Sequence, residues 1–463
     1  MMGNNKYDVI IVGGGPAGIF AAMELINQDD HLKVLLVEKG RSIVKRHCPS
    51  AEKGTKCVRC NPCSIVTGWG GAGAFSDGKL TLTTAFGGVL DEYMSKEALM
   101  ELIHYVDDIY VKFGGTQEVH GNDEDKIYPI AKACAAADIT LIPASVKHLG
   151  TDKCFDILRK MEEFLTDKID IVFGKKVHEI LVENKKVTGI KLDDDHIYEA
   201  NHVIVVPGRE GSDWFYQESK RLGLKSKNNA VDIGVRVELP AVVMKDITDD
   251  LYESKMIYYT NSFDDRVRTF CMNPFGKVVV ENNDGLKTVN GHSYADKRSD
   301  NTNFALLVSK NFTEPFNAPI EYGKYIATLS NMISGGVIVQ RLGDLLDGRR
   351  TTAERLKRGL VRPTLKDAVP GDLSLVLPYR FLTAIKEMLQ AMDKVAPGVY
   401  SKHTLLYGVE VKFYSSRIEL TEQLETEIEN LFAAGDGAGV TRGLAQASAS
   451  GVIAAREIID RRG

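Results

Sequence analysis

Gly13-Gly14-Gly15-Pro16-Ala17-Gly18 constrains the fold of this chain more tightly than any other stretch. Its spacing is Gly-x-Gly-x-x-Gly. It follows an apolar, β-branched run at Tyr7–Val12 and opens Pro16–Asn27, where Ile19, Phe20, Met23 and Ile26 recur at helical spacing. Lys33–Val37 reads as a second strand, and Glu38 stands at its end, about 20 positions beyond Gly18. Each glycine meets a separate need: Gly13 permits a tight turn, Gly15 lets backbone approach a pyrophosphate, and Gly18 lets helix pack on strand. The free N–H groups and positive end of the helix face the phosphates. Glu38 is placed to accept hydrogen bonds from an adenosine ribose. Strand, helix and carboxylate in this register predict a dinucleotide site and a parallel, doubly wound sheet.

The 463 residues carry 58 Lys and Arg against 63 Asp and Glu, a formal charge of −5, with 44% hydrophobic residues. Those values fit an ordinary globular protein and count against a general nucleic-acid binder. No apolar run is long enough to predict a transmembrane helix. The opening residues show no charged-then-apolar leader, so the expectation is a cytoplasmic protein.

Cys154–Leu165 reads as a helix, followed by four strands at Ile169–Phe173, Val177–Val182, Lys186–Leu192 and His202–Val206. From Asn228 to Asp372 short alternating segments predict an antiparallel sheet. Residues 1–227 are therefore expected to form one domain with a Cys-rich insertion at 41–68, 228–372 an inserted β-rich substrate domain, and 373–463 a return to the first.

Near the other end, Leu431–Ala434 is an apolar strand running into Gly435-Asp436-Gly437, with a helix starting around Gly443-Leu444-Ala445. This resembles the C-terminal flavin motif of the glutathione-reductase-like FAD superfamily, and Val203–Gly208 resembles its strand crossing beneath the cofactor. The resemblance implies an α/β fold with a glutathione-reductase-type FAD/NAD(P)-binding domain, and FAD as the cofactor. Asp436 would hold the ribityl hydroxyls. The helix start would face the pyrimidine edge, stabilising negative charge on reduced flavin. A second Gly-x-Gly-x-x-Gly at Gly68–Gly73 continues into Ala74–Leu80 and does not open a helix, so no second nucleotide-binding fold is expected.

Gly68–Leu80, His148–Asp152, Asp232–Glu238, Arg268–Gly276, Asp372–Pro378, Tyr407–Glu410 and Gly435–Gly439 together resemble the family known as FAD-dependent dehydrogenases. This chain differs in having Asn273 and Phe275 where the family commonly has Cys and Gly, and Asp436 and Val440 where it has Glu and Tyr. By this resemblance the loop with Gly71, Ala72 and Gly73 lines the flavin. The expected cofactor contacts are then Gly13, Gly15, Pro16, Ala17, Gly18, Glu38, Lys39, Gly71, Ala72, Gly73, Val177, Gly208, Gly435, Asp436, Gly443, Leu444 and Ala445. Asp77 and Lys79 would lie near flavin N5 or the substrate, although Asp77-Gly78 also suits a simple hairpin turn. His148 is a candidate proton donor or a structural residue.

Cys48, Cys57, Cys60 and Cys63 crowd into one short segment. The Cys-x2-Cys-x2-Cys spacing matches part of a ferredoxin loop, so the alternatives are an iron–sulfur cluster, a zinc site, flavin-coupled redox thiols, or no special role. The accompanying Lys and Arg residues suit a solvated face or the steering of an acidic electron-transfer protein or anionic substrate. The expected activity is flavin-mediated hydride transfer that reduces or desaturates an activated C=C bond of a small molecule, with NAD(P)H or ferredoxin as electron donor. A thiol-dependent disulfide or sulfur reductase and a partner-dependent flavin electron carrier are the alternatives.

Overall fold

In the computed structural model the described residues are 5–49, 60–75, 78–227, 230–251, 253–283, 285–293, 298–310, 318–412 and 417–462. They divide into two compact units, one of residues 1–118, 147–229 and 415–463, the other of 119–146 and 230–414.

The first unit is built on β1 (Lys6–Val12), α1 (Pro16–Gln28) and β2 (Val34–Glu38). β1 pairs in parallel with β2 on one side and with Ile197–Val205 on the other. Asp170–Phe173 extends the sheet beyond β2, also in parallel. The long strand Ile197–Val205 divides its free edge. Its end pairs in parallel with Leu431–Ala433, and its beginning pairs antiparallel with Lys186–Leu192. Val9–Val12 of β1 and Val34–Val37 of β2 are wholly apolar and buried because both faces of a central parallel sheet are covered. The parallel βαβ start and the strands at 169–192 follow the expectation from the sequence, whereas the strand expected at His202–Val206 runs from Ile197 to Val205. The C-terminal helix Leu444–Asp460 packs along α1.

The second unit contains an eight-stranded sheet, antiparallel apart from one short pairing at its edge. Its central strand, Val231–Pro240, lies between Asn301–Lys310 and Leu405–Lys412. Ile233, Val235, Val237 and Leu239 point into a core shared with Phe381, Ile385, Met388 and Met392 of the helix Tyr379–Val395. Asp232, Arg236 and Glu238 alternate with them and are also buried. Arg236 makes a two-pronged pair with Glu410, both contacts being 2.8 Å, and Glu238 accepts from Asn301 at 3.0 Å.

The boundary expected at residue 372 is corrected. Leu405–Lys412 bonds to the sheet on both sides, between Val231–Pro240 and Ile338–Arg341, so 373–414 belongs to the second unit. Residues 119–146 join it as well, because Ile139–Ile142 pairs with Lys255–Tyr259.

Candidate cofactor site

The turn after β1 depends on glycines for different physical reasons. Gly13 has φ of +119°, and a Cβ there would stand 2.3 Å from the Val206 carbonyl oxygen. A Cβ on Gly18 would meet the Gly13 carbonyl oxygen at 2.0 Å. Gly15 has an ordinary φ of −82°, and among the described residues no atom lies within 4 Å of the position its Cβ would take. Its missing side chain therefore leaves open space at the mouth of α1. No side chain caps this helix and Pro16 occupies its first turn, so the remaining N–H groups there are free to meet an anion.

Glu38 is buried at the end of β2. Its Oε2 accepts the Gly14 N–H and its Oε1 the Gly40 N–H, each at 2.7 Å. The carboxylate thus fixes the turn itself, a role the spacing argument had not assigned. Each oxygen retains further lone-pair capacity for a ribose hydroxyl.

Other predicted segments gather around the same helix start. The Gly70 N–H donates to the Gly14 carbonyl at 2.7 Å, and a Cβ on Gly71 would lie 3.5 Å from the Gly15 Cα. Ala72 follows in the short helical turn Gly71–Phe75. A Cβ on Gly73 would stand 2.8 Å from Leu444, and one on Gly435 would stand 3.3 Å from Ala17. Asp436 accepts from Arg209 Nε at 2.9 Å and from Thr441 Oγ1 at 2.7 Å. Gly208 has φ of +64° and open space where a Cβ would be.

A second uncapped helix start is at Gly443, ahead of Leu444 and Ala445. One turn in, Gln446 is buried. Its Nε2 donates to the Phe86 carbonyl at 3.1 Å, while its Oε1 has no hydrogen-bond partner among the described residues. Two bare helix starts, a glycine-lined opening, two carboxylates and an orphaned buried acceptor fit a long anionic dinucleotide with polar edges.

Two predicted contacts have additional or different settings. Lys39 is ion-paired with Glu210. Val177 is buried in the apolar core of the first unit, at the start of Val177–Glu183. Among the candidate catalytic residues, Lys79 opens the strand Lys79–Leu82 and His148 ends Ser145–His148. The Leu149 N–H donates to the Gly78 carbonyl at 3.1 Å, which brings His148 alongside Lys79. Asp77 lies outside the described residues.

Cys57 also lies outside them. Cys48 and Cys63 are half-buried free thiols and Cys60 is exposed. Among the described residues no three or more His, Cys, Asp or Glu side chains gather as a metal-ligand group.

Sequence reasoning missed three residues. Arg46, read with a solvated basic run, is buried. Gln446 had no motif to mark it. Lys147 forms a buried ion pair with Asp107 at 2.6 Å, and the 40 positions between them hide the partnership from any local pattern.

Comparison with known proteins places these observations in a class. Sequence models match for an FAD binding domain over 8–47, the C-terminal domain-like part of FAD-dependent proteins over 230–413, and glucose inhibited division protein A over 368–461. With the site geometry, these matches make the chain similar to FAD-binding proteins and support FAD as the cofactor the site fits. An uncharacterized protein of Clostridium beijerinckii is 28% identical over 485 residues, spanning 98% of this chain and 81% of the relative. Solved structures with similar outlines include glycine oxidase from Bacillus cereus, 12% identical with TM-score 0.39, covering 99% of this chain and 96% of that one. Another is formate oxidase from Aspergillus oryzae, 11% identical with TM-score 0.47, covering 98% of each chain. Neither of these distant likenesses assigns a reaction to this chain.

Proposed function

We propose that the protein catalyses hydride transfer between FAD and a small organic substrate, in the direction that reduces an activated C=C bond. The observation that carries the cofactor part is the gathering of Gly15, Gly71 and Gly435 around the uncapped start of α1. The C=C bond follows from the family resemblance of the sequence. Bound FAD supplies a hydride donor and acceptor at N5.

The first turn of α1 would bind the diphosphate, Glu38 the adenosine ribose and Asp436 the ribityl chain. Arg209 already shares the Asp436 carboxylate, so it neutralises that charge when hydroxyl donors are absent. The Gly443 helix start and Gln446 Oε1 would meet a polar ring edge carrying both acceptors and an N–H donor. His148 and Lys79 would manage the substrate proton, their strands being adjacent.

Reconstitution with FAD under anaerobic conditions tests this reading. The expected result is a stoichiometric yellow complex that NAD(P)H or reduced ferredoxin bleaches and that an enone or enoate re-oxidises. A colourless protein rejects the cofactor assignment. A bleached flavin re-oxidised by disulfides, and not by any unsaturated acceptor, rejects the substrate assignment in favour of the sulfur reductase. The iron–sulfur or zinc reading of the cysteine segment is tested separately, by metal and sulfide analysis of the wild type beside Cys60→Ala.

A further inference from the structure

Arg46 sits within a run of basic residues, yet it is only 4% exposed. Its guanidinium is enclosed by backbone oxygens. Nε donates to the Ser64 carbonyl at 2.9 Å, and one terminal nitrogen donates to Trp69 at 2.5 Å and Gly71 at 2.8 Å. The other donates to Ile65 at 2.8 Å. The charged plane also lies over the Phe75 ring, 4.9 Å from its centre. A Cβ on Gly68 would stand 2.6 Å from the Arg46 side chain, so that glycine is required by the arginine. Residues 64–71 thus wind around a single cation.

The same loop touches the dinucleotide turn through Gly70 to Gly14 and through Gly71 beside Gly15. We infer that Arg46 is a positioning residue for FAD, holding the second glycine-rich loop in the shape that closes over the mouth of α1. Only arginine matches the task. Its planar fork offers five fixed N–H donors, whereas lysine offers three on a flexible point charge. A carbonyl-lined loop that lost its cation would turn four unpaired oxygens toward one another or toward water. The inference rests on the FAD reading.

The test compares wild type with Arg46→Lys and Arg46→Ala. It measures far-UV circular dichroism, the FAD dissociation constant, and the visible circular dichroism of bound flavin, which reports how the ring is held. Both variants are expected to keep the wild-type far-UV spectrum, bind FAD about tenfold more weakly or worse, and lose the structured visible signal. Added guanidinium at low concentration is expected to restore binding to Arg46→Ala and to leave wild type unchanged. FAD affinity within twofold of wild type and an unchanged visible spectrum in Arg46→Lys would overturn the inference. Loss of the far-UV spectrum in both variants would overturn it too, since Arg46 would then serve the core and not the loop. If wild type itself binds no FAD, the cofactor reading fails first.

Discussion

Gly451 of the C-terminal helix rests against the Ala17 carbonyl of α1 so closely that a Cβ would stand 2.0 Å from its oxygen. Ala17 also adjoins Gly435, so on the proposed reading the two helices would carry the two halves of the cofactor site. This crossing would then set the distance between the proposed diphosphate turn and Asp436.

Gly451→Ala is therefore expected to push the helices apart. The obstacle is backbone, which cannot rotate away, so the cost is of the order of an overpacked core, about 1–3 kcal/mol. Urea unfolding of the apoprotein should show that loss. A parallel weakening of FAD binding should follow, because Asp436 moves away from α1. Wild-type stability in the variant would show that the crossing is loose.

Gly13 and Gly15 separate stability from binding. Gly13→Ala forces a side chain into a left-handed backbone and against Val206, and should unfold well below wild type with or without FAD. Gly15→Ala meets no atom of the described residues, so the apoprotein should keep its melting temperature. Its methyl group would occupy the space a diphosphate needs, and the FAD dissociation constant should rise about tenfold or more. Calorimetry of both apoproteins and FAD titration of Gly15→Ala decide the matter. Unchanged affinity would place the diphosphate elsewhere.

Lys255 gives the second unit a pH dependence. Burial, reinforced by the nearby Arg268 guanidinium, pushes its ammonium down to about 7 from an ordinary 10.5. Folding therefore favours the neutral amine. The associated stability is fully present above pH 10.5 and is lost as pH falls through about 7. Lys255→Met removes the titrating group. Relative to wild type it should gain stability at pH 7 compared with pH 10, measured by urea unfolding at both values. A difference between the two proteins that does not change with pH would refute the shift.

The local features were legible because their causes are local. The order β1–α1–β2 follows from one alternation of apolar spacing and three glycines. Asn184 and Lys185, in the short gap between the strands expected at Val177–Val182 and Lys186–Leu192, both take left-handed backbone, φ 51° and 61°, as a polar turn between strands requires. Membership of the second unit was not legible at its edges. Leu405–Lys412 bonds to strands that lie far away in the chain, and no composition shift marks residue 372. The strand Val231–Pro240 also shows a pattern with two meanings. Apolar alternating with charged residues normally signals one solvated face, but here Arg236 and Glu410 satisfy each other out of water. Arg46 misled for the same reason, because its partners are carbonyl groups, which any sequence supplies.

Glu38 spends an oxygen on each of Gly14 and Gly40, and this has a kinetic consequence. The loop's entropy is surrendered when the polypeptide folds, so an arriving nucleotide encounters a finished receptor. Recharging of the emptied protein should then be governed by encounter with the nucleotide and not by any slow rearrangement of the socket.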